Sequence, residues 1–168
     1  EGVGFDLYVR MVADAVAQYK GDKPQETTEV RIDIAVDAYL PDEYVPSEKG
    51  RLEVYAKIAA VNTPKMAREV REELTDRYGK LPKQVERLFL LARLRSMLRQ
   101  LGITEVITPG KYLRFSPVEL ADSQALRLKR LYPGSVIKSA TRQVLVPTKS
   151  ARRVDAPELH DEELVKWI

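Results

Sequence analysis

Residues 82–102 read PKQVERLFLLARLRSMLRQLG, and the distribution of apolar side chains along this stretch decides the architecture. Pro82 opens a helix and Gly102 closes it, because proline suits a helix start and glycine suits the turn just past its end. At about 100° per residue, Val85, Leu88, Phe89 and Ala92 share one face. Leu90, Leu94, Met97, Leu98 and Leu101 lie on nearly the opposite face. An apolar stripe that changes sides partway along needs two packing partners. Residues 82–101 therefore read as a long central helix joining a helical N-terminal half to a different kind of structure beyond it.

Upstream, Phe5, Val9, Val12, Val16 and Tyr19 recur at helical spacing, so residues 5–19 read as a helix. Val30-Arg31-Ile32-Asp33-Ile34 alternates like a strand buried on one side. In residues 39–46, Pro41 and Pro46 forbid regular structure, although the apolar side chains there must still dock. Ser47 is placed to cap a helix running through Val61, its stripe formed by Leu52, Tyr55, Ala56 and Ala59. Thr63-Pro64 starts another helix, which runs to Tyr78 and ends in a left-handed cap at Gly79.

Downstream, Val106-Ile107 and Tyr112-Leu113-Arg114-Phe115 flank the turn pair Pro109-Gly110 and read as a hairpin. A helix around Ser123–Leu131, with Leu120, Leu126 and Leu128 apolar, ends at Tyr132-Pro133-Gly134. Val136-Ile137 and Val144-Leu145-Val146 frame a second hairpin. The expected fold is α+β: an N-terminal helical group with one short strand, then a ββαββ unit forming a mainly antiparallel sheet, joined by the long central helix 82–101. Residues 1–150 are expected to form one domain, helical over about 5–101 and β-rich over about 102–150. Residues 151–168 read as a tail with a short terminal helix, Pro157 to Ile168.

Composition narrows the chemistry. No run of 18 apolar residues is present, so no segment reads as a membrane-spanning helix. The chain opens Glu1-Gly2-Val3-Gly4-Phe5 without an initiator methionine, as expected for a fragment of something longer, and equally for a cloning remnant or a processed terminus. Cysteine is absent, which removes thiolate zinc sites and cysteine nucleophiles and is compatible with a reducing cytosol. The sole histidine, His160, lies in the acidic tail beside Asp161 and reads as a surface residue. There is no glycine-rich phosphate loop and no dinucleotide fingerprint. The expectation is a domain with no catalytic residues, no metal and no cofactor.

Two charge features stand out. Residues 86–153 carry 14 basic and 4 acidic side chains within a chain whose net charge is only +3. Such a block attracts phosphate or an acidic protein surface, or it solvates helix faces. In the helix Pro64–Tyr78, Glu69, Glu72, Glu73 and Asp76 fall within an arc of about 100°, beside the apolar stripe of Met66, Val70 and Leu74. A solvated face supported by Arg68–Glu72 pairing accounts for most of this cluster. Glu73 and Asp76, however, lie in the last turns, where the helix dipole disfavours negative charge by about 0.3–1 kcal/mol each. Arg77 offsets part of that cost, and an acidic knob flanked by an arginine suits a protein partner.

Four stretches carry a resemblance. They are Tyr39-Leu40-Pro41-Asp42-Glu43-Tyr44-Val45-Pro46 with Arg51-Leu52-Glu53-Val54-Tyr55; Glu72-Glu73-Leu74-Thr75-Asp76-Arg77-Tyr78-Gly79-Lys80-Leu81-Pro82; Leu91-Ala92-Arg93-Leu94-Arg95 with Leu101-Gly102-Ile103; and Gly4-Phe5-Asp6-Leu7-Tyr8. In their order along the chain, with Gly4–Tyr8 first, they resemble the C-terminal domain of bacterial transcription-repair coupling factors, over residues 4–103; beyond 104 only general character agrees. The resemblance implies a cytoplasmic parent, an ATP-driven DNA translocase that displaces stalled RNA polymerase and recruits excision repair. It implies that the domain is a non-catalytic regulatory module that docks on the parent's own N-terminal excinuclease-B-like module. Docking would hide the surface recognised by the excinuclease A protein, and Glu73, Asp76 and Arg77 match the positions of that intramolecular interface. RNA polymerase, excinuclease A and DNA would be reached only through the full-length protein. The alternative is a basic nucleic-acid-binding module assisting a DNA translocase through Arg87, Arg93, Arg95, Arg99, Arg127, Lys129 and Arg130. Arg87 and Arg93 lie roughly 120° apart on the central helix, which opposes a single phosphate-binding face.

Overall fold

The structure, a computed structural model, describes residues 29–34 and 36–148. The expected helix over residues 5–19, His160 and the tail 151–168 lie outside the described residues. The chain divides into two compact units. The described part of the first is residues 36–96, and that of the second is residues 29–34 with 97–148. The fold is α+β, with four helices and a five-stranded mixed sheet among the described residues.

The first unit holds helices α1 (Glu48–Ala59), α2 (Pro64–Tyr78) and the larger part of α3 (Lys83–Gln100). Residues 36–47 precede α1 without regular structure, as the two prolines require. Leu40 and Val45 are nevertheless buried, and their backbone is satisfied locally. The Leu40 amide donates to the Tyr55 hydroxyl at 2.8 Å, and the Tyr44 and Val45 amides donate to the Pro41 carbonyl. Arg51 donates to the Val45 and Pro46 carbonyls at 2.9 and 3.0 Å. A buried loop with unpaired polar groups would be unstable, and these bonds satisfy the amides of Leu40, Tyr44 and Val45.

Capping follows the sequence closely. The Ser47 and Thr63 side chains accept from the Gly50 and Met66 amides, each at 3.2 Å, at the starts of α1 and α2. The buried face of α1 differs from expectation. Val54, Tyr55 and Ile58 are buried, while Leu52 is 37% exposed and Ala56 and Ala59 are half-buried. The face is turned by about 100° because Val54 and Ile58 remove more apolar area from water than two alanines. Gly79 also differs. Its φ of 86° is positive, but its ψ of −165° lies outside the left-handed helical region. Its amide still closes α2 on the Thr75 carbonyl at 2.9 Å, after which the chain leaves extended toward Pro82.

Helix α3 buries Val85, Leu88, Phe89 and Ala92, as its first half predicts. The later face is corrected: Leu94 and Leu98 are buried, Leu90 is half-buried, and Met97 and Leu101 are 44% and 70% exposed. Leu91 and Arg95 are buried in their place. The stripe thus rotates gradually by about 120° instead of reversing, since Leu91 and Arg95 lie between the two expected faces. The helix ends in a Schellman arrangement. Gly102 has φ of 70° and donates to the Arg99 carbonyl, and Ile103 donates to the Leu98 carbonyl.

The second unit is built on a sheet with strand order β1-β2-β3-β5-β4. Its strands are β1 (Arg31–Asp33), β2 (Glu105–Ile107), β3 (Tyr112–Ser116), β4 (Val136–Lys138) and β5 (Gln143–Pro147). Both expected hairpins form, with Val106 opposite Phe115 and Ile137 opposite Val144. The early strand β1 adds to this sheet, parallel to β2 with Ile32 opposite Val106. Val30, Val106, Leu113, Val144 and Val146 are buried. Helix α4 (Asp122–Leu131) starts with the Ala121 amide donating to the Gln124 side chain at 2.9 Å. It buries none of its residues, and Leu126 is 71% exposed.

Candidate functional site

Helix α2 is seated by one fully buried side chain and several polar ties. Leu74 is buried, while Met66 and Val70, the rest of its expected stripe, are half-buried. Toward α1, Lys57 donates to Glu73 Oε1 in an ion pair. Toward α3, Arg71 pairs with Glu86 at 2.5 Å and lies 4.6 Å from the centre of the Phe89 ring. Toward the preceding loop, the Tyr44 hydroxyl donates to the carbonyls of Leu74 at 3.2 Å and Gly79 at 3.0 Å. The Tyr44 and Tyr78 rings are 5.7 Å apart and tilted by 56°. The end of α2 is therefore fixed from three directions, which makes it a preorganised ridge.

The three expected interface residues divide into a bonded pair and a free carboxylate. Arg77 Nη1 reaches Glu73 Oε1 at 3.3 Å, so that oxygen receives cations from both α1 and α2. The hydrogen bond from Lys57 is the main reason the Glu73 carboxyl titrates below the usual range, with the Lys57 charge and Arg77 adding to it against partial burial. The Arg77 guanidinium also lies 5.1 Å from the centre of the Tyr78 ring. Asp76 is exposed and has no hydrogen bond or ion pair among the described residues. Glu69 and Glu72 are exposed on the same side of α2. The expected Arg68–Glu72 pair is not made; Lys65 pairs with Glu69 at 3.7 Å instead.

Lys57, Arg71 and Tyr44 complete this site; Tyr44 belongs to one of the stretches that carry the resemblance, but nothing in the sequence gives any of the three a place at the ridge. Lys57 and Glu73 are 16 positions apart on different helices, so no helical spacing links them. Chemically, the ridge presents fixed charges. It can pair with cations across a contact. Among the described residues no group of three or more His, Cys, Asp and Glu side chains could hold a metal ion. No helix among them is long and apolar enough to cross a membrane.

The basic stretch is partly engaged. Arg87 donates to the Asp37 carbonyl at 3.0 Å and approaches its carboxylate at 3.4 Å. Arg95 is buried, whereas Arg93, Arg99, Arg127, Lys129 and Arg130 are exposed.

The ridge lies within the residues that comparison assigns: the family model of the TRCF domain matches residues 34–128, more than half of the chain. The chain belongs to the TRCF domain family. It is 42% identical over 179 residues to the transcription-repair-coupling factor of Mycobacterium tuberculosis (strain CDC 1551 / Oshkosh), a match covering 99% of this chain and 14% of that protein. The factor of Bacillus subtilis (strain 168) is 38% identical over 101 residues, covering 60% of this chain and 9% of that protein. This TRCF-family chain thus corresponds to a small part of the length of its curated relatives. Among solved structures, the crystal structure of the C-terminal domain of a transcription-repair coupling factor superposes with a TM-score of 0.59. The identity is 19%, with coverage of 76% of this chain and 83% of that one, a likeness of fold.

Proposed function

We propose that this chain is the C-terminal domain of a bacterial transcription-repair coupling factor and acts there as a non-catalytic, autoinhibitory interaction domain. It docks through Glu73, Asp76 and Arg77 on the N-terminal excinuclease-B-like module of the same parent. Docking masks the surface for excinuclease A until the parent engages stalled RNA polymerase on DNA. The observation that carries this reading is the state of Asp76: an exposed carboxylate with no cation partner among the described residues, set against the helix dipole on a ridge that Lys57, Arg71 and Tyr44 hold in place. A charge kept at a local cost suits pairing with an arginine across a contact. Membership of the TRCF family supplies the setting.

The test is binding of excinuclease A to the full-length parent, wild type against Asp76→Lys, with folding of the variant checked separately. Removing one partner of a desolvated charge pair costs about 2–5 kcal/mol. The variant should therefore bind excinuclease A without polymerase, while wild type stays closed. A folded variant that is as closed as wild type would overturn the reading. The nucleic-acid alternative is disfavoured by the engagement of Arg87 and the burial of Arg95, two of its seven cations. Duplex DNA binding should be weak and fade with salt; sub-micromolar binding at physiological salt would favour that alternative instead.

A further inference from the structure

The second unit carries an apolar cleft of about 220 Å³, open to solvent, whose wall includes Phe115, Val118, Leu128, Tyr132, Val144 and Val146. Leu128 and Tyr132 come from α4 and the turn after it, and α4 buries no residue of its own. A helix held this lightly beside an apolar cleft has room for a further apolar element.

We propose that the cleft is the docking site for the chain's own C-terminal segment, residues 157–168 (PELHDEELVKWI), with Leu164, Trp167 and Ile168 entering it. Three observations select this occupant. The first is reach. Val144 and Val146 of β5 line the cleft, and only eight residues separate Thr148 from Pro157. At about 3.3 Å per extended residue those eight cover roughly 25 Å, enough to return to a site beside the strand they leave. The second is pattern. Leu164, Trp167 and Ile168 recur at i, i+3 and i+4, the spacing of one helical face, with acidic residues around them. The third is charge. Residues 154–168 hold five acidic side chains and one basic, whereas residues 97–148 hold eight basic and three acidic. On α4, Arg127 and Lys129 lie about 100° to either side of Leu128. Both are exposed and neither forms an ion pair among the described residues. An acidic segment with an apolar face matches an apolar cleft with a basic rim.

Trp167 is the only tryptophan in the chain, so its fluorescence reports directly on this contact. The full 168-residue chain should show emission shifted to the blue of tryptophan in water, independent of protein concentration. Leu128→Glu, which places a charge in the cleft, should move the emission to the red. The double variant Arg127→Glu/Lys129→Glu touches only exposed positions and should also move it to the red, as should added salt. That variant keeps the test decisive where circular dichroism finds Leu128→Glu unfolded. Water-like emission in wild type would overturn the proposal, as would a blue-shifted emission that neither folded variant alters. A blue shift that develops only with rising concentration and dimer formation would overturn it in favour of docking on a second copy.

Discussion

Tyr44, in the loop between two prolines, donates its hydroxyl to the carbonyl of Gly79 at 3.0 Å, beyond the end of α2. The same hydroxyl reaches the Leu74 carbonyl at 3.2 Å, so one side chain fastens the loop to the end of the ridge. Tyr44→Phe keeps the ring beside Tyr78 and removes only the donor. It should lower stability by about 0.5–1.5 kcal/mol in denaturant unfolding. Burial, then the neighbouring Tyr78 and Glu86, raises the Tyr44 pKa, so the folded state holds the phenolic proton more tightly than the unfolded chain. That contribution is complete below about pH 10 and is lost as pH rises through the raised value. The alkaline fall in stability should be shallower in Tyr44→Phe.

Glu73 gives the opposite sign. Its pKa is lowered, chiefly by the hydrogen bond from Lys57, so its contribution is present above the ordinary glutamate value of about 4.3 and fades as pH falls through the folded value. Both side chains of the Lys57–Glu73 pair are more than a third exposed, which keeps the effect small. Glu73→Gln should cost less than about 1 kcal/mol at neutral pH. Acid unfolding followed by circular dichroism should show a smaller pH dependence below about pH 5 in Glu73→Gln than in wild type.

Leu74 is the one fully buried side chain of α2, and Leu126 of α4 is 71% exposed. Leu74→Ala leaves a cavity under the ridge and should cost about 2–5 kcal/mol. Leu126→Ala should stay within about 0.5 kcal/mol. Urea unfolding midpoints of the two variants test this contrast directly.

Asp76 lies in the last turn of α2, where the dipole opposes a negative charge. Asp76→Asn in the isolated chain should raise stability by about 0.3–1 kcal/mol, and the gain should shrink with added salt. A loss of stability on substitution would mean that Asp76 has a structural partner. Its place as a free docking carboxylate would then fall.

Much of this molecule is legible in the sequence because local chemistry dictates it. Ser47, Thr63 and Gly102 fix helix ends through hydrogen bonds spanning only a few residues, and the Pro109-Gly110 turn fixes a hairpin. The α+β class follows from these signals and from the period of the apolar residues. The acidic character of α2 is legible too, since helical spacing alone gathers Glu69, Glu72, Glu73 and Asp76. Only the tertiary structure decided which of those carboxylates are paired among the described residues: Lys57 reaches Glu73 from another helix and Lys65 pairs with Glu69, while Glu72 and Asp76 stay exposed without an ion pair. It also placed β1 beside β2 across more than 70 residues of chain, turned the buried face of α1 from Leu52 to Val54 and Ile58, and buried Arg95. Pairings of this kind depend on which surfaces meet when the whole chain packs, and a residue's near neighbours in sequence carry no record of that.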